Sequence, residues 1–277
     1  MSMDTEMGNG SKNLKHAIEV LKYRTVFRTE HPDYFGADGL LCFTGAQGQG
    51  KTLSAVNYVC NLLKKYPKAK LVTNLMLKDF PIVTMEQFYS NGEARLFYER
   101  LEQCSLSAEQ FQKVIYQHYL QYNRVFPFSD NDDLSRYNNG EMGVIFLIDE
   151  IQLYLNSLQS KNINLDVMTQ ISQQRKQRKH IVCTSQVFGR MAKPLREQFS
   201  SVIQCKCIFG LLQNNALIDR DSLEGDTSTD TNITGEIKQR FVWFHTPAMY
   251  KRYDTYYVIE KGKFANGENA KGGLFDE

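Results

Sequence analysis

The sequence lacks an apolar run long enough to cross a membrane. Its longest apolar runs, around residues 144–148 and 208–212, have the length of strands, whereas a membrane helix needs about 20 apolar residues. The first ten residues are polar and contain neither the cationic nor the apolar segment of a secretory signal. These absences predict a chain with no signal peptide and no integral membrane segment.

Regular cysteine and histidine spacing is also missing. The six cysteines never form a Cys-x-x-Cys pair, and the five histidines are scattered along the chain. Structural zinc sites and disulfide frameworks depend on such spacings, so the pattern argues against a zinc site and against a Cys–His nucleophile pair. Most cysteines lie in apolar surroundings, which is typical of reduced thiols in a cytoplasmic protein.

The chain has almost no net charge, yet its charges are unevenly distributed. The formal net charge is +2, whereas residues 161–196 carry eight basic residues against Asp166 alone. Acidic stretches at 130–150 and 219–230 balance this basic segment. The 277 residues, 42% hydrophobic and 23% charged, are ordinary for a soluble globular protein and suffice for one large domain or two small ones.

Apolar strand patterns alternate with helical patterns along the chain, which predicts a mostly parallel α/β sheet flanked by helices. Strands are predicted at 40–43, 69–73, 144–148, 180–184 and 201–208. Helices are predicted at 13–23, 51–65, 84–89 (Glu86 near its cap), 93–104, 107–123 (Ser107 and Gln110 forming a capping box), 149–158, 165–176 and 193–199. Residues 126–142 are predicted to be a loop, and 237–246 with 253–260 a C-terminal β-hairpin.

The predicted domain organisation follows from these elements. Residues 1–37 form an N-terminal polar tail, up to residue 12, and a helix. Residues 38–260 form one domain, which includes a helical insertion at 84–142 and a C-terminal β addition at 201–260. The glycine-rich residues 261–277 form a flexible tail.

Residues 45–52 match the pattern G-x-x-x-x-G-K-[ST] at every fixed position. Glycines let such a loop turn its backbone N–H groups toward phosphate oxygens at a helix N-terminus. A lysine adds a point charge on the β- and γ-phosphates, and a hydroxyl can bind Mg²⁺. A chance glycine-rich turn is the alternative, but a strand precedes this loop and a helix follows it. The predicted ATP-binding residues are Gly45, Ala46, Gln47, Gly48, Gln49, Gly50, Lys51, Thr52 and Leu53.

Two acidic residues, Asp149 and Glu150, follow the most apolar strand pattern in the sequence. A P-loop protein needs a carboxylate at the end of a neighbouring strand to hold Mg²⁺, and Asp149 suits that role together with Thr52. An adjacent glutamate can polarise the attacking water as a general base. The alternative is that both acids cap the next helix, where acidic residues are favoured.

The strand predicted at 180–184 ends in Ser185-Gln186. Because carboxyl ends of parallel strands line the ligand crevice, Gln186 is a candidate sensor of the γ-phosphate. Ordinary turn chemistry explains this glutamine equally well from the sequence.

Arginines cluster around that strand. Ring-forming ATPases take an arginine from the neighbouring subunit to stabilise transition-state charge, and the candidates are Arg175, Arg178, Arg190 and Arg196. The same residues could bind DNA phosphates or lie on a solvated helix face, and the sequence leaves these alternatives open.

The motifs together resemble the zonula occludens toxin-like (Zot-like) P-loop ATPases of phages. That group is similar to the FtsK/HerA class of DNA-pumping motors, which includes viral genome-packaging ATPases. The resemblance runs from about residue 40 to residue 257. The segments that carry it are 45–52, 71–75, 148–151, 174–176, 184–186, 195–196 and 253–255.

The resemblance implies a RecA-like core that assembles as a ring, commonly a hexamer, and couples ATP hydrolysis to DNA translocation. It implies Lys51, Glu150 and Gln186 as catalytic residues, with the finger among the four arginines. It also implies DNA and a capsid or portal-vertex protein as partners, in the host cytoplasm or on the virion.

Zot-like assembly proteins of filamentous phages usually carry a transmembrane helix, and this sequence departs from them there. The departure favours a genome-packaging motor. The alternatives are a phage assembly or extrusion protein that uses ATP as a morphogenesis switch, and a helicase or replication-associated ATPase.

Overall fold

An eight-stranded sheet runs through the centre of the molecule. The computed structural model describes residues 4–37, 39–155, 169, 171–199, 201–223 and 233–254, with side chains from residue 14 onward. The strands are β1 (Gly39–Thr44), β2 (Lys70–Thr73), β3 (Val125–Pro127), β4 (Val144–Ile148), β5 (Lys179–Ser185), β6 (Ser201–Ile208), β7 (Leu212–Asp219) and β8 (Ile237–Phe244).

Eight α-helices are described within those ranges. They are α1 (Asp4–Glu30), α2 (Lys51–Lys65), α3 (Met85–Tyr89), α4 (Gly92–Glu102), α5 (Ala108–Tyr122), α6 (Asp133–Arg136), α7 (Lys193–Arg196) and α8 (Pro247–Tyr250). In the described part of the chain, no helix has the length and hydrophobicity that a bilayer crossing requires.

The sheet order is β3-β2-β4-β5-β1-β6-β7-β8. The first six of these strands are parallel, and β6-β7-β8 are joined by antiparallel pairings. This mixed sheet with helices on both faces confirms the predicted α/β class and its antiparallel C-terminal addition. Because β5 lies between β1 and β4, the residues that follow these three strands meet at one edge of the sheet.

Two apolar cores lie on opposite faces of the sheet, and β4 contributes to both. All five of its residues are buried. Val144, Phe146 and Ile148 pack into one core, and Ile145 and Leu147 pack into the other. This alternation is the period-2 pattern of a strand covered on both sides, which explains why the segment is apolar at every position.

Helix α2 covers the second core with Val56, Val59 and Leu63, all fully or almost fully buried. The first core is covered from the other side by α5, through Tyr119, and by segments around β5. The same helix α2 begins directly after the glycine-rich loop, so the packing of this helix fixes where the loop lies.

Helices α2 to α5 confirm the prediction to within a few residues. The capping box of α5 is present, because the Ser107 hydroxyl accepts from the Gln110 backbone N–H and the Gln110 side chain accepts from the Ser107 N–H. Helix α3 has the same device with Thr84 and Gln87. Thr84 caps this helix because its side-chain oxygen accepts a hydrogen bond from the Gln87 backbone N–H. Glu86, which was predicted near the cap, is not the capping residue.

Several predicted boundaries were wrong. Residues 4–12, predicted as part of a polar tail, are helical, because helix α1 spans Asp4–Glu30. No proline lies before residue 32 to stop this helix. The predicted loop 126–142 contains most of β3, the short helix α6 and a 3₁₀ turn. All three residues of β3 pair with β2. Three residues are too few to give a recognisable strand pattern in the sequence.

The segment after β4 also differs from the prediction. Its described part is a 3₁₀ turn at Ile151–Leu153 rather than an α-helix, because Glu150 adopts a left-handed conformation with φ 50°. Helical structure before β5 is described only at 169 and 171–173. Residues 156–168, which include the end of the first predicted helix and the start of the second, lie outside the described residues.

The first strand of the predicted C-terminal hairpin is β8, which pairs with β7. Of the second predicted strand, 253–260, only residues 253 and 254 are described, and Tyr253 forms a single bridge with Leu77. Strand β7 was missed because Gln213, Asn214 and Asn215 interrupt its apolar pattern. The parallel pairing of β6 with β1 places the first strand of the predicted β addition within the parallel part of the sheet.

Candidate active site

The glycine-rich loop connects β1 to α2 at the carboxyl edge of the sheet. Gly45, Gly48 and Gly50 have φ angles of 145°, 76° and 74°, which L-residues with side chains rarely adopt. A Cβ at position 45 would lie 2.8 Å from the Cys205 carbonyl, and one at position 50 would collide with the Gln213 side chain. Glycine is therefore required at both positions by the backbone angle and by the close neighbours.

The N-terminus of α2 is open to an anion. Gly50 precedes the helix without a side-chain cap, and its first turn has no acidic residue. The N–H groups of a helix N-terminus, together with the helix dipole, attract negative charge. Lys51 is 7% exposed, and its Nζ donates to the Ala46 carbonyl at 3.1 Å. The lysine is thus folded back over the loop that is predicted to hold the phosphates.

Hydroxyl groups from two elements converge on the Asp149 carboxylate. Thr52 Oγ1 donates to Asp149 Oδ1 at 2.8 Å, and Thr184 Oγ1 donates to the same oxygen at 2.7 Å. Burial raises the pKa of Asp149 above its ordinary value, and the two hydroxyl groups oppose that shift. The Asn74 side chain fixes the Asp149 backbone, accepting from its N–H at 2.8 Å and donating to its carbonyl at 2.9 Å.

The oxygen pair of Thr52 and Asp149 suits Mg²⁺. Mg²⁺ prefers hard oxygen ligands and is usually held by one or two protein groups together with substrate phosphates. A hydroxyl and a carboxylate in contact beside a loop that is predicted to bind phosphates meet that requirement. Among the described residues, no group of three or more His, Cys, Asp or Glu could hold a metal ion, and a Mg²⁺ site completed by phosphates does not need one.

Glu150 is held by contacts on both carboxylate oxygens. Gln186 Nε2 donates to Oε1 at 3.3 Å, and Gln152 Nε2 donates to Oε2. The Glu150 backbone N–H donates to Thr184 Oγ1 at 2.9 Å, so one hydroxyl touches both acidic residues. The structure therefore brings together the predicted residues Lys51, Thr52, Asp149, Glu150 and Gln186 at one edge.

The four arginines are not part of this cluster. Arg178 precedes β5 and lies at the opposite edge of the sheet, about 20 Å away along a strand of seven residues. Arg175 lies in the turns just before it. Arg196 borders a cavity with Arg220, also at that edge. Arg190 ends the 3₁₀ turn that follows β5 and is exposed.

Three residues of the site were given no role from the sequence. Asn74 and Thr184 each stand at or just beyond the end of an apolar strand, a position that could have identified them. Gln213 had no such signal. It is fully buried on the unpredicted strand β7, and its Nε2 donates to the Gln49 carbonyl at 3.0 Å. It thereby orients the loop backbone from the antiparallel part of the sheet.

No protein-family model matches the sequence, and no curated protein matches it significantly. Among solved structures, the N-terminal domain of zonular occludens toxin from Neisseria meningitidis is similar, with 16% identity, TM-score 0.46, and coverage of 78% of this chain and 98% of that one. The genome packaging NTPase B204 from Sulfolobus turreted icosahedral virus 2, in complex with ATP-gammaS, has 11% identity, TM-score 0.41, and coverage of 71% and 95%. The flagellar accessory protein FlaH from Methanocaldococcus jannaschii has 11% identity, TM-score 0.36, and coverage of 74% and 84%.

The first two of these structures are of the kinds that the sequence motifs resemble. At such identities and TM-scores, none of the three assigns a role to a residue of this chain. The class follows from the molecule itself: a glycine loop between β1 and α2, in a parallel sheet whose carboxyl edge also carries Asp149 and Glu150, defines a P-loop NTPase fold.

Proposed function

We propose that this chain is an ATP-hydrolysing motor that moves DNA, and specifically a viral genome-packaging ATPase. The observation that carries the ATPase part is the contact between Thr52 Oγ1 and Asp149 Oδ1 at 2.8 Å, which joins the phosphate-binding loop to the acidic strand. A glycine turn that matched the motif by chance would not be expected to place its final hydroxyl on the carboxylate of another strand.

The residues divide the chemistry among them. The loop N–H groups and Lys51 bind the β- and γ-phosphates and stabilise charge that develops on the γ-phosphoryl oxygens. Thr52 and Asp149 would hold Mg²⁺, which when bound neutralises part of the phosphate charge. Glu150 accepts a proton from the water that attacks the γ-phosphate in line. Gln186 donates to the Glu150 carboxylate and so orients the base.

A neighbouring copy would supply the remaining positive charge. None of Arg178, Arg190 and Arg196 makes an ion pair with Asp149 or Glu150 in the described part of this chain. Transition-state stabilisation in P-loop ATPases commonly needs an arginine, so assembly as a ring, most simply a hexamer, would complete the site. Capsid or portal docking in the host cytoplasm belongs to the same proposal and is supported by the motif resemblance.

ATP hydrolysis by the purified chain, measured without DNA, with duplex DNA and with single-stranded DNA, tests the proposal. We expect turnover that DNA increases severalfold. Lys51→Ala should lose nucleotide affinity and turnover, because the point charge on the phosphates is removed. Glu150→Gln should lower kcat by at least about a hundredfold while ATP still binds, which is the size of a general-base contribution.

The outcomes separate the candidate functions. Full turnover by Lys51→Ala would reject the assignment of the nucleotide site, and an active Glu150→Gln would reject Glu150 as the base. Turnover that neither DNA form changes would favour the alternative, a Zot-like assembly or extrusion protein in which ATP acts as a morphogenesis switch. Strand separation during turnover would favour a helicase.

A further inference from the structure

A cavity of about 510 Å³ lies between the end of α1 and the amino edge of the sheet. This edge is opposite the phosphate-binding loop, because Arg178 in the cavity wall directly precedes β5. The volume is in the range of pockets that hold small ligands. Of the roles proposed above, only the arginine finger, for which Arg178 is one of four candidates, would involve a residue of this cavity.

Four cationic side chains from three elements line the cavity: Arg24 and Arg28 of α1, Lys65 at the end of α2, and Arg178. In the described part of the chain, none of the four forms an ion pair. Two carboxylates near the cavity have other partners, since Glu141 lies 4.0 Å from His31 and Asp33 pairs with Lys68 at 2.6 Å. Arg24 and Arg28 are four residues apart on one helix face, where like charges repel.

Aromatic rings alternate with these cations. The Arg178 guanidinium lies 4.2 Å from the centre of the Tyr34 ring, and Lys65 Nζ lies 5.3 Å from that of Tyr66. Phe27 stacks on His31 at 4.5 Å and meets Tyr34 edge-on at 4.9 Å. The group is held in place, and Arg178 itself has a φ of 54°, a conformation that non-glycine residues keep only where their surroundings enforce it.

We infer that this cavity binds single-stranded DNA, with phosphates on Arg24, Arg28 and Arg178 and a base against the rings of Phe27 and Tyr34. Cations alone would suit any polyanion, but alternating cations and aromatic faces are the combination that binds single strands, because every base has a face that stacks. In a duplex the bases face each other and cannot reach the rings. The inference deepens the proposed function by naming a DNA contact, and it does not require ATP hydrolysis.

The test is the affinity of the full chain for a labelled short oligothymidylate, measured by fluorescence anisotropy at several salt concentrations. The double variant Arg24→Ala/Arg28→Ala should bind at least about tenfold more weakly. Its salt slope should fall by about 1.4, since each phosphate contact on a single strand contributes about 0.7. The matched control, Arg100→Ala/Lys113→Ala, removes two exposed charges from α4 and α5 and should bind like the wild type.

A second variant separates stacking from charge. Tyr34→Leu should weaken binding of the oligonucleotide and leave the salt slope unchanged, because a stacking surface is lost and no phosphate contact is. Arg178→Ala should also weaken binding. If Arg178→Ala kept full DNA affinity and lost only turnover, Arg178 would act as the arginine finger and its place in the DNA site would be rejected.

Three further results would overturn the inference. They are wild-type affinity in Arg24→Ala/Arg28→Ala, equal weakening in the control pair, and displacement of the oligonucleotide by polyglutamate at the same monomer concentration, which would indicate a general anion site. ATP hydrolysis is measured in parallel. A chain that binds the oligonucleotide through these residues but hydrolyses no ATP would reject the proposed function and keep this site.

Discussion

At the scale of single residues, the Thr184 hydroxyl holds the two acidic residues of the site together. It donates to Asp149 Oδ1 at 2.7 Å and accepts from the Glu150 N–H at 2.9 Å. The carboxylate predicted to bind Mg²⁺ and the backbone of the predicted base are therefore fixed to one point on β5. A displacement of β5 would therefore alter the positions of both acidic residues.

Thr184→Val tests this arrangement. The valine keeps the shape of the side chain and removes both hydrogen bonds, so we expect kcat for ATP hydrolysis to fall by about 10- to 100-fold, as for other residues that orient ligands. The free energy of unfolding should fall by about 1–3 kcal/mol because the Glu150 N–H loses its partner. Kinetics and chemical denaturation measure the two effects.

Thr44→Val is the matched control. Thr44 ends the neighbouring strand β1 and is fully buried, and its hydroxyl has no hydrogen-bond partner within the described residues. Replacing it should leave kcat within about twofold and should not destabilise the protein, since no hydrogen bond is lost. Equal losses in both variants would show that the Thr184 effect comes from packing alone.

At the scale of elements, helix α5 shows what local sequence can predict. Its first turn is specified by Ser107 and Gln110, which lie within one turn of each other, and both hydrogen bonds of the capping box are present. Its buried face is given by Ile115 and Tyr119. Because all these signals lie within one helix, the predicted and observed boundaries agree closely.

Ser107→Ala should therefore destabilise the fold by about 1 kcal/mol, because the Gln110 N–H loses its acceptor at the helix start. The change is measured by chemical denaturation. Ser105→Ala, which alters an exposed serine just before the helix, should be neutral within about 0.5 kcal/mol. A neutral Ser107→Ala would show that packing alone fixes the start of α5.

Strand β7 shows the opposite case. Its buried polar residues make sense only from distant contacts: Gln213 bonds the Gln49 carbonyl, and Asn215 Nδ2 donates to Ser54 Oγ at 3.0 Å. Burying amides is unfavourable unless they are hydrogen-bonded, and their partners lie in the loop and α2, far away in sequence. The alternation of apolar and polar residues that predicts a strand is lost in β7, because its polar side chains form hydrogen bonds to the loop and to α2.

At the scale of the whole molecule, the predicted nucleotide site and the cavity lie at opposite edges of the parallel sheet. The motifs specified one of them: loop, acids and Gln186 lie at the carboxyl edge, as the rule for parallel strands predicts. The cavity at the amino edge had no motif, because its cations come from α1, α2 and the residue before β5. Its charges meet only through the fold, and of the four only Arg178 lies in the basic segment 161–196, so no sequence pattern indicated the cavity.

A buried lysine at that amino edge makes the stability of the molecule depend on pH. Lys179 is 2% exposed, and its Nζ donates to the Leu134 carbonyl at 2.6 Å. Burial lowers its pKa from 10.5 to about 8. Since the unfolded chain then binds more protons between these two values, the contribution of this group to stability rises as pH rises from about 8 to 10.5.

We therefore expect the unfolding free energy of the wild type, minus that of Lys179→Met, to increase over that range. The slope should approach ~1 kcal/mol per pH unit. Chemical denaturation at pH 7 and near pH 10 measures it. Lys206→Met, on an exposed side chain of β6, should show no such trend. A constant difference for Lys179→Met would mean that this lysine titrates alike in both states.

The bond from Gln213 to the Gln49 carbonyl also bears on how the protein could be shortened. A chain trimmed just after Phe199 would retain every predicted site residue, from Gly45 to Arg196. It would nevertheless lack β7, whose Gln213 side chain donates to the Gln49 carbonyl and lies against Gly50. The shortest chain that keeps this contact therefore extends at least through β7. A truncation chosen from the predicted site residues alone would remove Gln213, whose side chain orients the loop.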